Sequence, residues 1–272
     1  MKTSIRLLIM IITMMIFTAE ISIAQDDAVR PEFVTVTTMH WNMELENFDM
    51  DEWIATEKEF MDKVTKKNEH ILQEGYYMHY FTSDNTELIL VRTFANWEAI
   101  DQFADRNGEL VAQAWPDEAE RMAFMKKRNA YYAFKHADEI HATLPGAKLL
   151  PDNLDKNMVV YVRRSELKPL DGPWQERSEL MRMDSEIFKK NDLIKGYYPL
   201  GHAWGSDNTQ LVEAFYVESL ASIDEMLQKN GELMESSMSD EKEREELGKT
   251  REKFFTGKHA DQIFTMVHQL RK

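Results

Sequence analysis

One stretch of this sequence occurs twice. The first copy runs from Gly75 to Thr86, and the second runs from Gly196 to Thr209; both start with Gly-Tyr-Tyr and end with Ser-Asp-Asn-Thr. The Ser-Asp-Asn-Thr segments lie 123 residues apart and the Gly-Tyr-Tyr segments 121, so the second copy carries a short insertion. The chain is therefore predicted to be a tandem duplication, with repeats at residues 33–144 and 158–272. The linker between them, residues 145–157, contains proline and glycine, as linkers often do.

The start of the chain has the layout of a secretory signal. Lys2 and Arg6 precede an apolar run over residues 7–17, and small residues lead up to Ala24. We therefore expect residues 1–24 to be a signal peptide cleaved after Ala24, and residues 25–32 to be a flexible lead-in. The mature protein is expected to be periplasmic or secreted.

Charge and cysteine content exclude some classes of function. The formal net charge of −15 argues against nucleic acid as a partner, because phosphate backbones are bound through Lys and Arg. The sequence has no cysteine, which excludes disulfides and a lipoprotein anchor, and we expect no membrane anchor. A small-molecule ligand is the expected partner, and a homodimer is possible.

Each repeat shows the same order of predicted elements. In the first, β-branched residues over 33–41 indicate a strand, and the apolar spacing over 51–74 indicates a helix that Gly75 ends. A hairpin over 76–94 follows, with Asp84 and Asn85 suited to a left-handed turn. Helices over 96–115 and 117–134 and a strand over 138–144 complete the repeat. The order is strand, helix, strand, strand, helix, strand, the split βαβ or ferredoxin-like unit.

This order, the tandem repeat and the Gly-Tyr-Tyr entry to the second strand resemble the dimeric α/β-barrel superfamily. That superfamily includes antibiotic-biosynthesis monooxygenases and the NIPSNAP-type, EthD-type and chlorite-dismutase groups. The resemblance implies an α+β fold in which two tandem ferredoxin-like (βαββαβ) units pack as an intrachain barrel. It also implies a cavity between the sheet faces that binds small, often aromatic or haem-like, ligands.

The repeated hairpin supplies six candidate ligand-binding residues. His79 and His202 stand at matching places, and histidine is a common ligand of metals and haem. Aromatic side chains that suit ring stacking flank them in both copies, namely Tyr77, Phe81, Tyr198 and Trp204. Recurrence reports common ancestry first, so the alternative is that these residues only pack in the core.

Three further candidates come from strand alternation. His141 alternates with Ile140 on the last strand of the first repeat and has Phe264 at the matching place in the second. Arg92 and Glu213 share a strand face with leucines in their respective repeats. The two would be polar groups in an apolar cavity or an ion pair across it; the alternative is that they are solvated strand ends.

The sequence does not assign a reaction. It lacks a nucleophile elbow, a phosphate-binding glycine-rich loop and a zinc-binding helix, so catalytic residues remain unassigned and no metal site is predicted. The favoured function is binding of a small apolar, aromatic or haem-like ligand in a cavity between the repeats. The alternatives are a cofactor-independent or haem-dependent oxygenase-type enzyme, and a protein that binds another exported protein.

Overall fold

The computed structural model describes residues 30–169 and 174–272, so the predicted signal peptide and most of the lead-in lie outside the described residues. No helix in these two ranges is both long and apolar enough to cross a membrane. Within them, eight strands and six α-helices follow one another: β1 (Phe33–His40), α1 (Met50–Lys63), β2 (Gln73–Phe81), β3 (Glu87–Phe94), α2 (Trp97–Ala114), α3 (Glu118–Ala130), β4 (Ala137–Thr143), β5 (Met158–Leu167), α4 (Trp174–Lys190), β6 (Gly196–Trp204), β7 (Gln210–Val217), α5 (Ala221–Ser237), α6 (Glu241–Phe254) and β8 (Phe255–Arg271).

The eight strands close into one antiparallel barrel. Around it they run in the order β1, β3, β2, β8, β5, β7, β6, β4. The first half of the chain thus contributes β4-β1-β3-β2 and the second half β8-β5-β7-β6, which is the same order in each. The pairs β2–β8 and β4–β6 join the halves, with Tyr77 opposite Met266 and His141 opposite His202. The predicted α+β class is confirmed, and each half pairs with the other along both of its sheet edges.

Both faces of the strands contribute side chains to the buried core. Val34 and Val212, from different halves, meet inside the barrel in one apolar cluster. Leu88 and Leu90 of β3 point outward and pack with Trp53 of α1. Because successive side chains of a strand point to opposite faces, each strand supplies residues to the barrel interior and to the layer beneath the helices.

Side chains shape the two hairpin turns that the Ser-Asp-Asn-Thr segments predicted. The Asp84 carboxylate accepts hydrogen bonds from the Thr86 backbone at 2.8 Å and from its hydroxyl at 2.7 Å. Asp207 holds Thr209 in the same way, at 2.8 and 2.6 Å. The expected left-handed backbone at Asp84 and Asn85 is wrong: Asn47 is the one residue other than glycine with positive φ in the described part of the chain. In the first turn the Glu87 backbone also donates to the Asp84 carbonyl, at 3.3 Å, so side-chain and backbone bonds together hold this turn.

The first helix ends earlier than the sequence predicts. It stops at Lys63, a single turn of 3-10 helix follows, and Gly75 lies inside β2. The chain turns at Asn68, whose side-chain oxygen accepts from the His70 backbone at 3.0 Å. A Cβ at Gly75 would lie 3.3 Å from the Tyr77 hydroxyl, so this glycine makes room for a ring and does not end a helix.

Candidate functional site

A cavity of about 920 Å³ lies in the second half of the chain, between the outer face of its sheet and its helices. This volume is within the range of small-molecule sites, about 300–1,000 Å³. Strands β5, β6 and β7 supply the floor, namely Tyr161, Arg163, Tyr197, Leu211, Glu213 and Phe215. Helices α4, α5 and α6 supply the walls, including Met181, Asp184, Phe188, Leu227, Met234 and Arg251.

Large side chains fill the matching space in the first half. Trp53 is fully buried, Trp115 is 7% exposed, and Met125 packs on the same apolar cluster as Trp115. The residues 123 positions further along the chain are smaller or polar: Glu176, Met238 and Gly248. Gly248 is exposed, and a Cβ added to it would meet no atom within 4 Å. Of these three residues Gly248 lines the cavity, so the absence of a side chain there adds to the volume of the cavity.

A carboxyl group lies on the cavity floor. Glu213 of β7 accepts a hydrogen bond from the Tyr197 hydroxyl at 2.7 Å. Burial raises the pKa of Glu213, and the neighbouring Asp184 carboxylate adds to the rise, against the opposing effects of the Tyr197 hydrogen bond and two arginines. Burial also raises the pKa of Tyr197. A titratable group with a raised pKa in a cavity is a candidate proton donor or acceptor.

Two arginines contribute to the lining in different ways. Arg251 of α6 makes two hydrogen bonds to the Asp184 carboxylate, at 2.6 and 2.9 Å. Arg163 of β5 has a buried Nε without a hydrogen-bond partner. No carboxylate of the described chain lies within ion-pair distance of Arg163. One guanidinium of the cavity is therefore paired directly with a carboxylate, and the other is not.

Five of the predicted site residues lie on the inner face of the barrel. Tyr77 and Tyr198 pack in an apolar cluster there, with the Tyr77 hydroxyl 2.7 Å from that of Tyr216. His141 is 4% exposed and lies directly opposite His202. His79 occupies the same face of β2 as Tyr77, with its Nδ1 2.8 Å from the Thr82 hydroxyl. Buried apolar clusters lie in the barrel interior, where the sequence predicted a cavity between the repeats, and the cavity described above lies outside the barrel.

The other four predicted residues do not meet. Phe81 and Trp204 are exposed at the hairpin ends, 57% and 66% respectively. Arg92 bonds to Glu74 on the helix-covered side of the first half, with a 2.5 Å distance from Nε to the carboxylate. Glu213 lies on the helix-covered side of the second half. The expected ion pair between Arg92 and Glu213 is therefore wrong, because the leucine-bearing faces point out toward the helices and not into the barrel.

Of the nine predicted residues, Glu213 alone belongs to the cavity that the structure describes. The sequence reasoning missed Tyr161, Asp184, Phe215 and the other lining residues. A comparison of the two repeats could have indicated the position of the cavity. Where matching apolar residues differ in size, the half with the smaller residue has the more open space between its sheet and its helices. The change from Met125 to Gly248 is the clearest case.

The cavity does not fit a haem held by histidine. Haem iron takes an axial ligand such as His, Cys, Tyr or Met with His. Neither histidine nor cysteine occurs among the residues that line this cavity. The hydroxyls of Tyr161 and Tyr197 already donate to Asp261 and Glu213, at 2.6 and 2.7 Å. Elsewhere in the described ranges, no group of three His, Cys, Asp or Glu side chains could hold a metal ion.

A smaller hollow of about 470 Å³ lies at the loops that follow β1 and α3. Trp41 and Phe134 line it, and Phe134 is completely exposed. His40 contributes a ring nitrogen 3.3 Å from the Asp84 carboxylate, which also shapes the hairpin turn. This hollow is a surface depression, whereas the larger cavity has buried aromatic rings and a buried carboxyl.

We expect Glu213→Gln to change the pH dependence of stability. A raised folded pKa means that protonation of Glu213 stabilises the fold below the unfolded pKa, near 4.3, and that this contribution is lost as the pH rises through the folded pKa. Glutamine resembles the protonated carboxyl at every pH. The melting temperature of the variant should therefore equal that of the wild type near pH 4 and lie roughly 2–4 °C above it at pH 8.

Melting curves between pH 4 and pH 8 test this expectation. The exposed Glu243→Gln on α6 is the control and should follow the wild type throughout. A melting difference for Glu213→Gln that is the same at every pH would show that its carboxyl has an ordinary pKa.

The fold can be compared with proteins of known structure. No protein-family model matches the sequence, and no curated protein matches it. One similar structure is that of a candidate monooxygenase from Lactobacillus acidophilus. The alignment covers 88% of this chain and 94% of the monooxygenase chain, with 11% sequence identity and a TM-score of 0.53. One from Fusobacterium nucleatum matches 87% over 92%, with 10% identity and the same TM-score. At identities this low, the similarity shows a common fold alone. The chain therefore shares its fold with these two proteins, and a single polypeptide supplies all eight strands of the barrel.

Proposed function

We propose that this protein binds a small apolar or aromatic molecule in the cavity of its second half. The observation that carries the proposal is the hollow itself, which replaces the filled core of the first half. An apolar void left unfilled in a core lowers stability. A ligand that occupied it would restore the lost contacts and so stabilise the protein.

The lining suits an aromatic ring. Phe188, Tyr197 and Phe215 form a cluster with ring centroids 4.9–5.1 Å apart. Tyr161 stacks on Phe215 at 5.8 Å with an interplanar angle of 26°. Met181 and Met234 add thioether side chains, which adapt to irregular ligand shapes. A flat apolar molecule could therefore stack on these aromatic rings and contact the flexible methionine side chains.

Gly248→Met is expected to abolish binding of a neutral apolar probe. The substitution puts into the cavity the side chain that stands at position 125 of the first half. It also replaces a helical glycine whose Cβ meets nothing within 4 Å, which stabilises a helix by about 0.5–1 kcal/mol. We expect wild type to bind N-phenylnaphthylamine with a rise in fluorescence, and the variant to bind it at least about tenfold more weakly.

Gly108→Met is the matched control for that substitution. Gly108 is a helical glycine of the first half that is also exposed and also has no atom within 4 Å of an added Cβ. It lies outside the cavity, so its replacement should leave probe binding unchanged. Equal binding by the wild type and by Gly248→Met, with both folded, would count against the cavity as the site.

An oxygenase-type enzyme is the second candidate, and Glu213 favours it. A carboxyl with a raised pKa, hydrogen-bonded to Tyr197 in a cavity, is suited to general acid–base catalysis. The names of the two monooxygenase candidates with this fold are consistent with it. Oxygen uptake with a panel of aromatic acids tests the idea. An enzyme would lose turnover in Glu213→Gln while still binding the probe.

We also propose that the chain is an exported tandem duplication of one ferredoxin-like unit. The 123-residue spacing and the equal strand order of the two halves support the duplication. The charged start and apolar run before Ala24 support export. A protein recovered from the periplasm or medium with Gln25 as its first residue would bear the export out.

A further inference from the structure

We propose that the ligand is an aromatic or polycyclic molecule with one acidic group, and that the guanidinium of Arg163 binds that group. The inference rests on the proposed function, since it names the class of ligand for the same cavity. Its basis is the charge and hydrogen bonding of the cavity floor.

Arg163 is flanked by two acidic residues that are already engaged. On the neighbouring strands it lies opposite Glu213 and opposite Asp261. Asp261 accepts from the Tyr161 hydroxyl at 2.6 Å and lies 3.1 Å from a ring nitrogen of His259. Glu213 accepts from Tyr197. Both carboxyls therefore have other partners, although each stands beside the arginine.

The Nε of Arg163 is left as a buried donor without an acceptor. Such groups are rare in folded proteins, because a buried donor loses its hydrogen bond to water. Guanidinium binds carboxylate and related oxyanions through paired, charge-assisted hydrogen bonds. An acidic group on the ligand would supply the missing acceptor and the missing negative charge together.

The remaining charges of the lining also favour an anion. Asp184 neutralises Arg251, and Glu252 opposes the charge of the two lysines at the edge of the cavity, Lys168 and Lys258. Lys258 also lies 3.7 Å from the Glu166 carboxylate, so these residues leave a small excess of positive charge. The protein as a whole carries a net charge of −15, which repels anions at a distance. Screening in physiological salt limits that repulsion to about 8 Å, so the nearby cations decide inside the cavity.

The apolar body of the ligand has its own place. Met181, Phe188 and Met234 stand on the helical walls, across from the sheet that carries Arg163. Leu227 lines the same wall and is 45% exposed, which is high for a leucine in a cavity. An acidic group at Arg163 would point the rest of the molecule toward these side chains. One free guanidinium matches one acidic group, and a cation would meet repulsion.

Two fluorescent probes that differ only in the acidic group test the inference. Anilinonaphthalene sulfonate carries a sulfonate, and N-phenylnaphthylamine is its neutral parent. Wild type should bind the sulfonate more tightly than the neutral probe. Arg163→Gln should weaken sulfonate binding about tenfold to a hundredfold, the usual effect of losing hydrogen bonds to a charged group, and leave the neutral probe within about twofold.

The control is Arg182→Gln, which removes an exposed arginine of α4 that pairs with Glu179 away from the cavity lining. It should bind both probes as the wild type does. If Arg163→Gln does not fold, the wild-type protein still provides a test. Its affinity for the sulfonate should fall with added sodium chloride, and its affinity for the neutral probe should not.

The outcomes separate the two proposals. If neither probe binds wild type, or both bind Gly248→Met undiminished, the cavity is not the site and the proposed function fails. If both probes bind wild type and Arg163→Gln weakens both alike or neither, the cavity binds apolar molecules but Arg163 does not receive an acidic group. Selective loss of the sulfonate supports the inference.

Discussion

Replacing Glu57 with alanine is expected to lower the free energy of unfolding by about 3–5 kcal/mol. Glu57 is 1% exposed and receives three side chains: the hydroxyls of Tyr76 and Tyr132 at 2.8 and 2.6 Å, and Nε of Arg128 at 2.9 Å. Burial, and then the Glu57 carboxylate, raises the pKa of Tyr76. Alanine would leave a buried guanidinium and two buried hydroxyls without their acceptor. That loss is the source of the expected destabilisation.

Urea unfolding followed by tryptophan fluorescence measures the effect, since Trp53 donates to the Tyr132 hydroxyl at 2.9 Å in the same network. Glu52→Ala is the control. Glu52 pairs with Lys127 at 2.8 Å, but both side chains are about half exposed, so its loss should cost below about 1 kcal/mol. Equal destabilisation by the two variants would mean that the buried network contributes no more than a surface ion pair.

The order of strands and helices was predicted correctly because the local sequence patterns, such as helix caps and apolar spacing, agree with the tertiary structure. Asn96 begins α2 as predicted, and its side chain accepts from the Ala99 backbone at 2.9 Å. The first helix was predicted too long because the apolar spacing continues past Lys63. After the helix and the 3-10 turn that follows it, the chain changes direction at Asn68, whose side chain bonds to residues of α2. A long-range contact of this kind leaves no local pattern in the sequence.

The position of the cavity was not predictable from alternation alone. In β3, Leu88 and Leu90 face the helices, whereas Ile89 and Val91 face the barrel interior, and all four are apolar. In an open sheet with one wet face, polar residues would tell the two sides apart. A closed barrel covered by helices buries both sides. The sequence therefore defined which residues share a face but not which face meets the ligand.

Two buried asparagines at matching places, Asn68 and Asn191, make the same contacts in the two halves. Asn68 is fully buried and donates to the Asn107 side chain at 2.8 Å and to a backbone carbonyl of α2. Asn191 is fully buried too, and donates to Asn230 at 2.7 Å and to the carbonyl of Met226 in α5. Each asparagine thus ties the turn after one helix to the next helix. Its partner there is the asparagine of an Asn-Gly-Glu-Leu segment that occurs in both halves, at residues 107–110 and 230–233.

Asn191→Ala is expected to cost about 3 kcal/mol of stability, because each buried group left without a partner costs about 1–3 kcal/mol. It should also weaken binding of the neutral probe, since Asn230 belongs to the cavity lining. Asn68→Ala should cost a similar amount and leave probe binding unchanged, because neither Asn68 nor its partner Asn107 lines the cavity that is proposed to bind the probe. Urea unfolding and probe titration on both variants measure the two effects separately.

Loss of probe binding in both variants would show that general destabilisation causes it. Loss of binding in Asn191→Ala alone would show that the hydrogen bonds from Asn191 to α5 hold the cavity open.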